Sequence, residues 1–195
     1  SRFWIKAQEK INEEKGLKFF KTHNLLGSIN NNQFTNKQNT IGAIYIVRDP
    51  RNIITSLQNH FELNKNDALN FMLNENKYIY DYHLKSDYSD FQFISSWQKN
   101  YCSWVKQKIF SVKMVKYEDL NNKTFETFKE IIEFIEKTTE GKKNFNKEKA
   151  INSIQSTTFD KMKKIEKNQG FAESVLSKND QKKKIPFFHL GPNND

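Results

Sequence analysis

An arginine and a serine are spaced so that both could bind an anion. Arg48 comes directly after the apolar run IGAIYIV at residues 41–47, and Ser56 follows eight residues later. Arginine offers a planar fork of N–H donors, and a helix start adds backbone amides and the positive end of its dipole. In the equally supported alternative, Arg48 pairs with Asp49 or Glu118 and Ser56 is merely exposed. The spacing is therefore compatible with an anion site and equally with the structural alternative.

A second candidate lies earlier in the chain, where Lys21 and His23 end a short apolar run over residues 17–23. A neutral imidazole could take a proton from a hydroxyl, and an ammonium group could stabilise charge on a leaving oxygen. A single histidine after a strand is more often structural or exposed, so this signal alone is weak. The four histidines and the single cysteine, Cys102, are too scattered to predict a metal site.

Two apolar runs predict the strands that would position these side chains. Residues 41–47 are almost continuously apolar, which is typical of a parallel strand covered on both faces. Asp49 and Pro50 are favoured at the N-cap and first position of a helix, so a helix is expected to begin there. Open parallel sheets bind ligands at the carboxyl ends of their strands, and this is where His23 and Arg48 are expected.

The remaining chain alternates predicted helices with one more strand. Helices are expected over residues 3–15, 66–74, 91–108, 123–137 and 147–167, and a strand over 112–116. This order predicts an α/β fold of three layers, with a central parallel sheet flanked by helices. A single domain over residues 1–195 is expected.

The composition argues against several classes of protein. Hydrophobic residues make up 36% of the chain, which suits a folded core, and no apolar run approaches the ~20 residues that span a bilayer. The net charge of +9 favours anionic ligands without choosing among nucleic acid, membrane surfaces and phosphorylated small molecules. The aromatic residues fall mostly on apolar helix faces and strands, which argues against a nucleic-acid surface. One cysteine suits a reducing compartment, and a cytoplasmic location is expected.

Five motifs, in order along the chain, resemble landmarks of the soluble sulfotransferase family. They are KTH at 21–23, VRDPRNIITS at 47–56, YEDL at 117–120, a Thr-x-Phe at 157–159 and the ending FFHLGPNND at 187–195. The resemblance implies a P-loop NTPase-like fold. It also implies transfer of a sulfuryl group from 3′-phosphoadenosine 5′-phosphosulfate to an acceptor hydroxyl, with a histidine base and no metal.

The resemblance gives roles to residues at both candidate positions. His23 would be the base that deprotonates the acceptor hydroxyl, and Lys21 would assist at the transferring sulfuryl group. Arg48 and Ser56 would bind the 3′-phosphate that distinguishes this donor from ATP. A small molecule bearing a hydroxyl is the acceptor that a histidine base favours, and its pocket is expected to draw on residues 24–40 and 60–95. The sequence leaves the identity of the acceptor and the oligomeric state open.

Four further residues receive donor-binding roles from the resemblance. Tyr117, Thr157 and Phe159 would surround the adenine, with Phe159 offering an aromatic face. Gly191 lies where the family has a glycine in its C-terminal phosphate-binding segment. For Tyr117 and Phe159, simple packing in the core is the alternative interpretation.

Two features depart from the family pattern. No Lys-Ser-Gly-Thr-Thr-type loop, which would cradle the phosphosulfate, occurs in the sequence, and His189-Leu190 stands where many relatives have Arg-Lys. The missing loop predicts a fragment of a longer chain, and the loss of two cations means that the 3′-phosphate contact would fall to backbone amides and nearby lysines. A P-loop nucleotide kinase-like phosphotransferase and a folded but inactive nucleotide-binding fragment stay as alternatives.

Overall fold

The computed structural model describes residues 1–79, 91–141, 145–180 and 182–194. The chain divides into two compact units. The first comprises Ser1–Tyr45 and Phe71–Met114, and the second comprises Ile46–Asn70 and Val115–Asp195. That the chain acts as one domain over residues 1–195 stays a prediction.

Helices and strands alternate along the described part of the chain. Their order is α1 (Trp4–Asn12), β1 (Ser28–Ile29), β2 (Asn32–Gln33), β3 (Gly42–Val47), α2 (Pro50–Phe61), α3 (Lys65–Leu73), β4 (Tyr78–Ile79), β5 (Gln92–Phe93), α4 (Trp97–Val105), β6 (Ser111–Lys116), α5 (Tyr117–Asn122), α6 (Thr124–Thr138), α7 (Lys147–Ser156) and α8 (Phe159–Gln169). A short 3-10 helix covers Gly191–Asn194. Strands β3 and β6 pair in a parallel sheet, which confirms the predicted α/β fold.

The predicted start of α2 is confirmed. Asp49 is its N-cap, and the Asp49 carboxylate accepts a hydrogen bond of 2.8 Å from the backbone N–H of Arg51. Pro50 takes the first helical position, where its missing N–H costs nothing. Because β3 ends at Val47, Arg48 lies in the short connection between strand and helix.

The predicted strand over residues 17–23 is wrong. The segment has no regular structure, and Phe19 and Phe20 are 68% and 70% exposed. A strand needs a neighbour that completes its ladder of hydrogen bonds, whereas here the N–H of His23 donates to the side chain of Gln92. Lys21 and His23 therefore do not follow a sheet strand.

Two predicted helices have different limits. The helix expected over 91–108 begins only at Trp97, because Ser96 caps it by accepting from the N–H of Lys99 at 3.3 Å. The helical pattern over 147–167 is broken into α7 and α8. The break falls at Thr157 and Thr158, whose backbones leave the helical conformation. β-branched residues favour such a break because they lose rotamer freedom inside a helix.

Each unit has its own packed interior. In the first unit, the indole of Trp104 is 7% exposed and its Nε1 donates to the carbonyl of Asn24 at 3.0 Å. In the second unit, α6 packs against α5 and α7, and Val115 is 2% exposed. Across the described ranges, no helix combines the length and the apolar character needed to cross a membrane.

Candidate active site

Arg48 is held between two of the residues that the sequence assigned to donor binding. Its Nη2 donates to the carbonyl of Gly191 at 2.9 Å, and its guanidinium carbon lies 4.3 Å from the centre of the Tyr117 ring. The half-buried guanidinium stacks on an aromatic face, where its charge interacts with the ring quadrupole. The structure thus brings Arg48, Tyr117 and Gly191 together, although they are far apart in the sequence.

The carboxylates near Arg48 organise the start of α2. Glu118 accepts from the backbone N–H of Asp49 at 3.1 Å, which ties the YEDL motif to the strand–helix connection. Asp49 forms an ion pair of 2.5 Å with Arg51. The side-chain hydrogen bond from Arg51, together with its backbone N–H, lowers the pKa of Asp49 to about 2. Both carboxylates named as alternative partners for Arg48 therefore have these other partners.

Gly191 is a position that requires glycine. Its φ is +58°, in the left-handed region that side chains disfavour. A Cβ at this position would overlap the ring of Phe159, so the backbone lies directly against that ring. Phe159 in turn contacts Phe188 edge-on, with ring centres 5.8 Å apart. Phe159 therefore joins the same cluster through Gly191.

One face of α8 holds the C-terminal segment, and the sequence interpretation missed it. Glu166 accepts from the backbone N–H groups of Phe187 and Phe188 at 2.7 and 2.9 Å. Lys163 donates its Nζ to the carbonyl of His189 at 3.0 Å. The spacing of Phe159, Lys163 and Glu166 marks a single helix face. That spacing could have revealed the helix face. The sequence around α8 does not indicate that this face binds the C-terminal segment.

Ser56 and Thr157 form local hydrogen bonds. Ser56 is exposed on α2, and its hydroxyl lies 3.5 Å from the carbonyl of Asn52, one turn earlier. Thr157 ends α7, and its hydroxyl donates to the carbonyl of Ser153 at 2.8 Å. Both residues are in the second unit with Arg48, but their described hydrogen bonds go to their own helices.

His23 and Lys21 belong to the first unit, and both side chains are exposed. The backbone of His23 is held on both sides. Its N–H donates to the Oε1 of Gln92 at 2.7 Å, and its carbonyl accepts from the Nδ2 of Asn100 at 3.1 Å. The backbone that carries the exposed imidazole is therefore held in position by two side chains.

Asn100 links His23 to the interior of the first unit. The hydroxyl of Tyr45 donates to the Oδ1 of Asn100 at 2.9 Å, and Asn100 also donates to the carbonyl of Ile94 at 2.8 Å. Burial, with smaller contributions from Tyr101 and Cys102, raises the pKa of Tyr45 to about 12. Tyr45 thus stays a donor over the whole ordinary pH range. The sequence interpretation named neither residue, since a half-buried Tyr–Asn pair has no spacing signature.

Two further predictions concern a metal ion and the acceptor pocket. Within the described ranges, no group of three His, Cys, Asp or Glu could hold a metal ion. The acceptor pocket was expected to draw on residues 24–40 and 60–95, and positions 80–90 of that expectation lie outside the described residues.

Comparison with known proteins supports the motif-based interpretation. The family model described as a sulfotransferase domain matches residues 4–191. A search of curated proteins gave no significant match. The family match includes the KTH segment, the Arg48–Ser56 segment and the glycine that contacts Arg48. It covers nearly the whole chain, and the chain therefore belongs to the sulfotransferase domain family.

Proposed function

We propose that this chain transfers a sulfuryl group from 3′-phosphoadenosine 5′-phosphosulfate to the hydroxyl of a small molecule. Membership of the sulfotransferase domain family supports sulfuryl transfer in general. The specific donor, the residues that bind it and the histidine base are the parts proposed here.

The placement of Arg48 carries the proposal. The guanidinium lies at the start of α2, stacked on Tyr117 and bound to the carbonyl of Gly191. These contacts fix the orientation of the guanidinium group. Its parallel N–H donors can bind two oxygens of one phosphate group. The backbone N–H groups of Asp49 and Arg51 at the start of α2 already donate to Glu118 and Asp49, so the assignment depends on side-chain donors. We assign the 3′-phosphate of the donor to Arg48, with Ser56 as a second donor two turns along α2.

Aromatic and small residues of the second unit suit the adenine. Phe159 is half-buried and lies against Gly191, and Tyr117 presents one face to Arg48. Aromatic rings stack on purines through dispersion and complementary charge distribution. We assign the adenine to Tyr117, Phe159 and Thr157, with Gly191 lining the phosphate.

In the proposed reaction, His23 is the base and Lys21 stabilises charge on the transferring group. The acceptor oxygen attacks the sulfur, and its proton passes to the imidazole. The bond between sulfur and the bridging oxygen of the 5′-phosphate breaks, which leaves adenosine 3′,5′-bisphosphate and a sulfate ester. The charge that spreads over the leaving oxygens is met by the Lys21 ammonium group. The proposal includes no metal and no nucleic-acid partner.

The acceptor class and the location complete the proposal. A histidine base suits small alcohols or phenols, and a chain with one cysteine suits the reducing cytoplasm. Cys102 itself lies half-buried in α4, and the reaction gives it no role.

The donor assignment is tested by comparing Arg48→Ala with Arg51→Ala. Calorimetry would measure binding of adenosine 3′,5′-bisphosphate, adenosine 5′-phosphate and ATP to the wild-type chain and both variants. The wild type is expected to prefer the bisphosphate. Arg48→Ala is expected to reduce that preference about tenfold to a hundredfold, as for loss of a charge-assisted hydrogen bond. Arg51→Ala is the matched control, because it removes an exposed arginine whose partner is Asp49.

The results separate the proposed donor from the alternatives. Equal binding of the bisphosphate and ATP by the wild type would contradict the donor assignment. Preference for ATP with Mg²⁺ would favour the kinase-like alternative. Tight bisphosphate binding without turnover would favour an inactive nucleotide-binding fragment.

The base is tested by His23→Ala. Transfer of a radiolabelled sulfuryl group to a panel of phenols and alcohols is expected to fall by about a hundredfold or more, because general-base catalysis is lost. The affinity for the bisphosphate is expected to stay within about twofold of the wild-type value. Retained turnover in this variant would disqualify His23 as the base.

A further inference from the structure

The C-terminal segment that carries Gly191 is bound by α8 at three successive points. The α8 tether is defined as Phe159, Lys163 and Glu166. Glu166 accepts the N–H groups of Phe187 and Phe188, Lys163 binds the carbonyl of His189, and Phe159 lies against Gly191. The tether therefore contacts the segment at Phe187, Phe188, His189 and Gly191.

The tether ends at the contact with Arg48. The carbonyl of Gly191 accepts from the Nη2 of Arg48 at 2.9 Å. The segment cannot shift along α8 without moving this carbonyl, because the left-handed turn at Gly191 fits closely against the Phe159 ring. An unbroken series of contacts thus runs from the Glu166 carboxylate to the Arg48 guanidinium.

We propose that Glu166 is a positioning residue for the phosphate subsite, holding the segment so that the Gly191 carbonyl keeps the Arg48 guanidinium oriented toward its anion. This inference rests on the proposed function, since it takes the 3′-phosphate of the donor as the anion at Arg48. Glu166 acts through the backbone of the segment and makes no contact with the reacting atoms in this scheme.

A carboxylate suits this task better than a neutral side chain. Two consecutive backbone N–H groups converge on its two oxygens, and the hydroxyl of Ser174 donates to the same group at 2.5 Å. Partial burial acts to raise the pKa of Glu166. The hydrogen bonds from Ser174, Phe187 and Phe188 together outweigh burial and lower the pKa, with help from the charge of Lys163. The ionised group accepts all three donors at once, and hydrogen bonds to a charged acceptor are the stronger kind.

The side chains just before Gly191 make this positioning important. His189 and Leu190 are both exposed, and neither carries a fixed positive charge. Binding of an anion here then depends on Arg48 and on the backbone geometry around Gly191. A small displacement of that backbone would misalign the hydrogen bond between Arg48 and Gly191, because hydrogen bonds depend steeply on direction. Binding through flexible lysines would be less sensitive to such a displacement.

The test is the ratio of affinities for adenosine 3′,5′-bisphosphate and adenosine 5′-phosphate, measured by calorimetry. The ratio isolates the 3′-phosphate, and a general loss of stability would lower both affinities without changing it. Glu166→Gln is expected to lower the ratio about threefold to tenfold, since one of the two carboxylate acceptors is lost. Glu166→Ala is expected to lower it further. Glu148→Gln, which removes an exposed carboxylate from α7, is the matched control and is expected to leave it unchanged.

Two further measurements keep the inference decidable. Ser174→Ala removes one neutral donor to the same carboxylate, and it is expected to lower the ratio about twofold even if a Glu166 variant folds poorly. An unchanged ratio in folded Glu166 and Ser174 variants would overturn the positioning role. A wild-type chain without preference for the bisphosphate would instead contradict the proposed function. Hydrogen exchange at Phe187 and Phe188 then decides: faster exchange in Glu166→Gln than in Glu148→Gln supports the tether, and equal exchange overturns it.

Discussion

At the scale of single residues, Asn100 shows how a side-chain amide can fix a backbone. The carbonyls of His23 and Ile94 can only accept, so the Nδ2 of Asn100 must face them and its Oδ1 is left to accept from Tyr45. The tyrosine hydroxyl holds the amide in that orientation, and the amide holds the backbone of His23. The position of the proposed base therefore depends on Tyr45 through Asn100.

Tyr45→Phe tests this dependence. Because the Oδ1 of Asn100 loses a half-buried donor, the variant is expected to lower the free energy of unfolding by about 1 kcal/mol in urea titrations. The folded pKa of about 12 lies above the ordinary value of 10.0, so the stabilisation is complete below pH 10.0 and is lost as the pH rises toward 12. Absorbance of the phenolate should show a late-titrating tyrosine in the wild type that the variant lacks. Tyr101→Phe, whose ring stacks on Trp97, is the matched control, and an equal effect there would contradict the role given to Tyr45.

At the scale of elements, α2 is fixed at both ends by carboxylates. Asp49 caps its first turn, and Glu62 ends it in the left-handed conformation with φ of 48°. The Glu62 carboxylate accepts from the hydroxyl of Ser177 and from the N–H of Lys178. The side-chain hydrogen bond from Ser177 and the backbone N–H of Lys178 lower the pKa of Glu62. The helix that begins beside Arg48 is thereby tied to residues 177–178, which precede the C-terminal segment.

The cap at Asp49 gives a pH-dependent prediction. Asp49→Asn is expected to lower the melting temperature by a few degrees at neutral pH, since the amide loses the charge that pairs with Arg51. The folded pKa of about 2 lies below the ordinary 3.8, so the advantage of the wild type is present above pH 3.8 and shrinks as the pH falls toward 2. Thermal melts of both proteins across this range would check it. A difference that stays constant down to pH 2 would show that the charge of Asp49 contributes nothing.

The start of α2 was predictable because its signals are local. Asp49 and Pro50 are adjacent in the sequence, and each acts on the backbone within one turn. The run at 17–23 was misleading for the opposite reason. Its apolar residues suggest a strand, but a strand exists only beside a hydrogen-bonding neighbour, and Phe19 and Phe20 lie exposed. The local sequence can favour an extended backbone, but it does not show which strand, if any, will pair with that segment.

At the scale of the whole molecule, the residues proposed for chemistry and those proposed for donor binding belong to different compact units. His23 and Lys21 lie in the first, whereas Arg48, Tyr117 and Gly191 lie in the second. The motifs were recognisable because their residue types and order match a family pattern. Glu166 was not, since the partners that link it to the C-terminal segment are backbone N–H groups 21 and 22 residues away, and every sequence contains such groups. A net charge of +9 favours an anionic ligand for either unit, with an attraction that salt screens.

The hydrogen bond between Arg48 and Gly191 also bears on the order of folding. It joins residues 143 positions apart, so it closes one of the longest loops that this chain can form. Loop closure of that length is entropically costly and follows the formation of local structure. Helices such as α2 and α8 can form from nearby residues, while the contact that orients the guanidinium waits for distant parts of the chain to meet. The anion binding proposed for Arg48 is therefore expected to be acquired late in folding, and a chain that has regained its helices would still lack the proposed site.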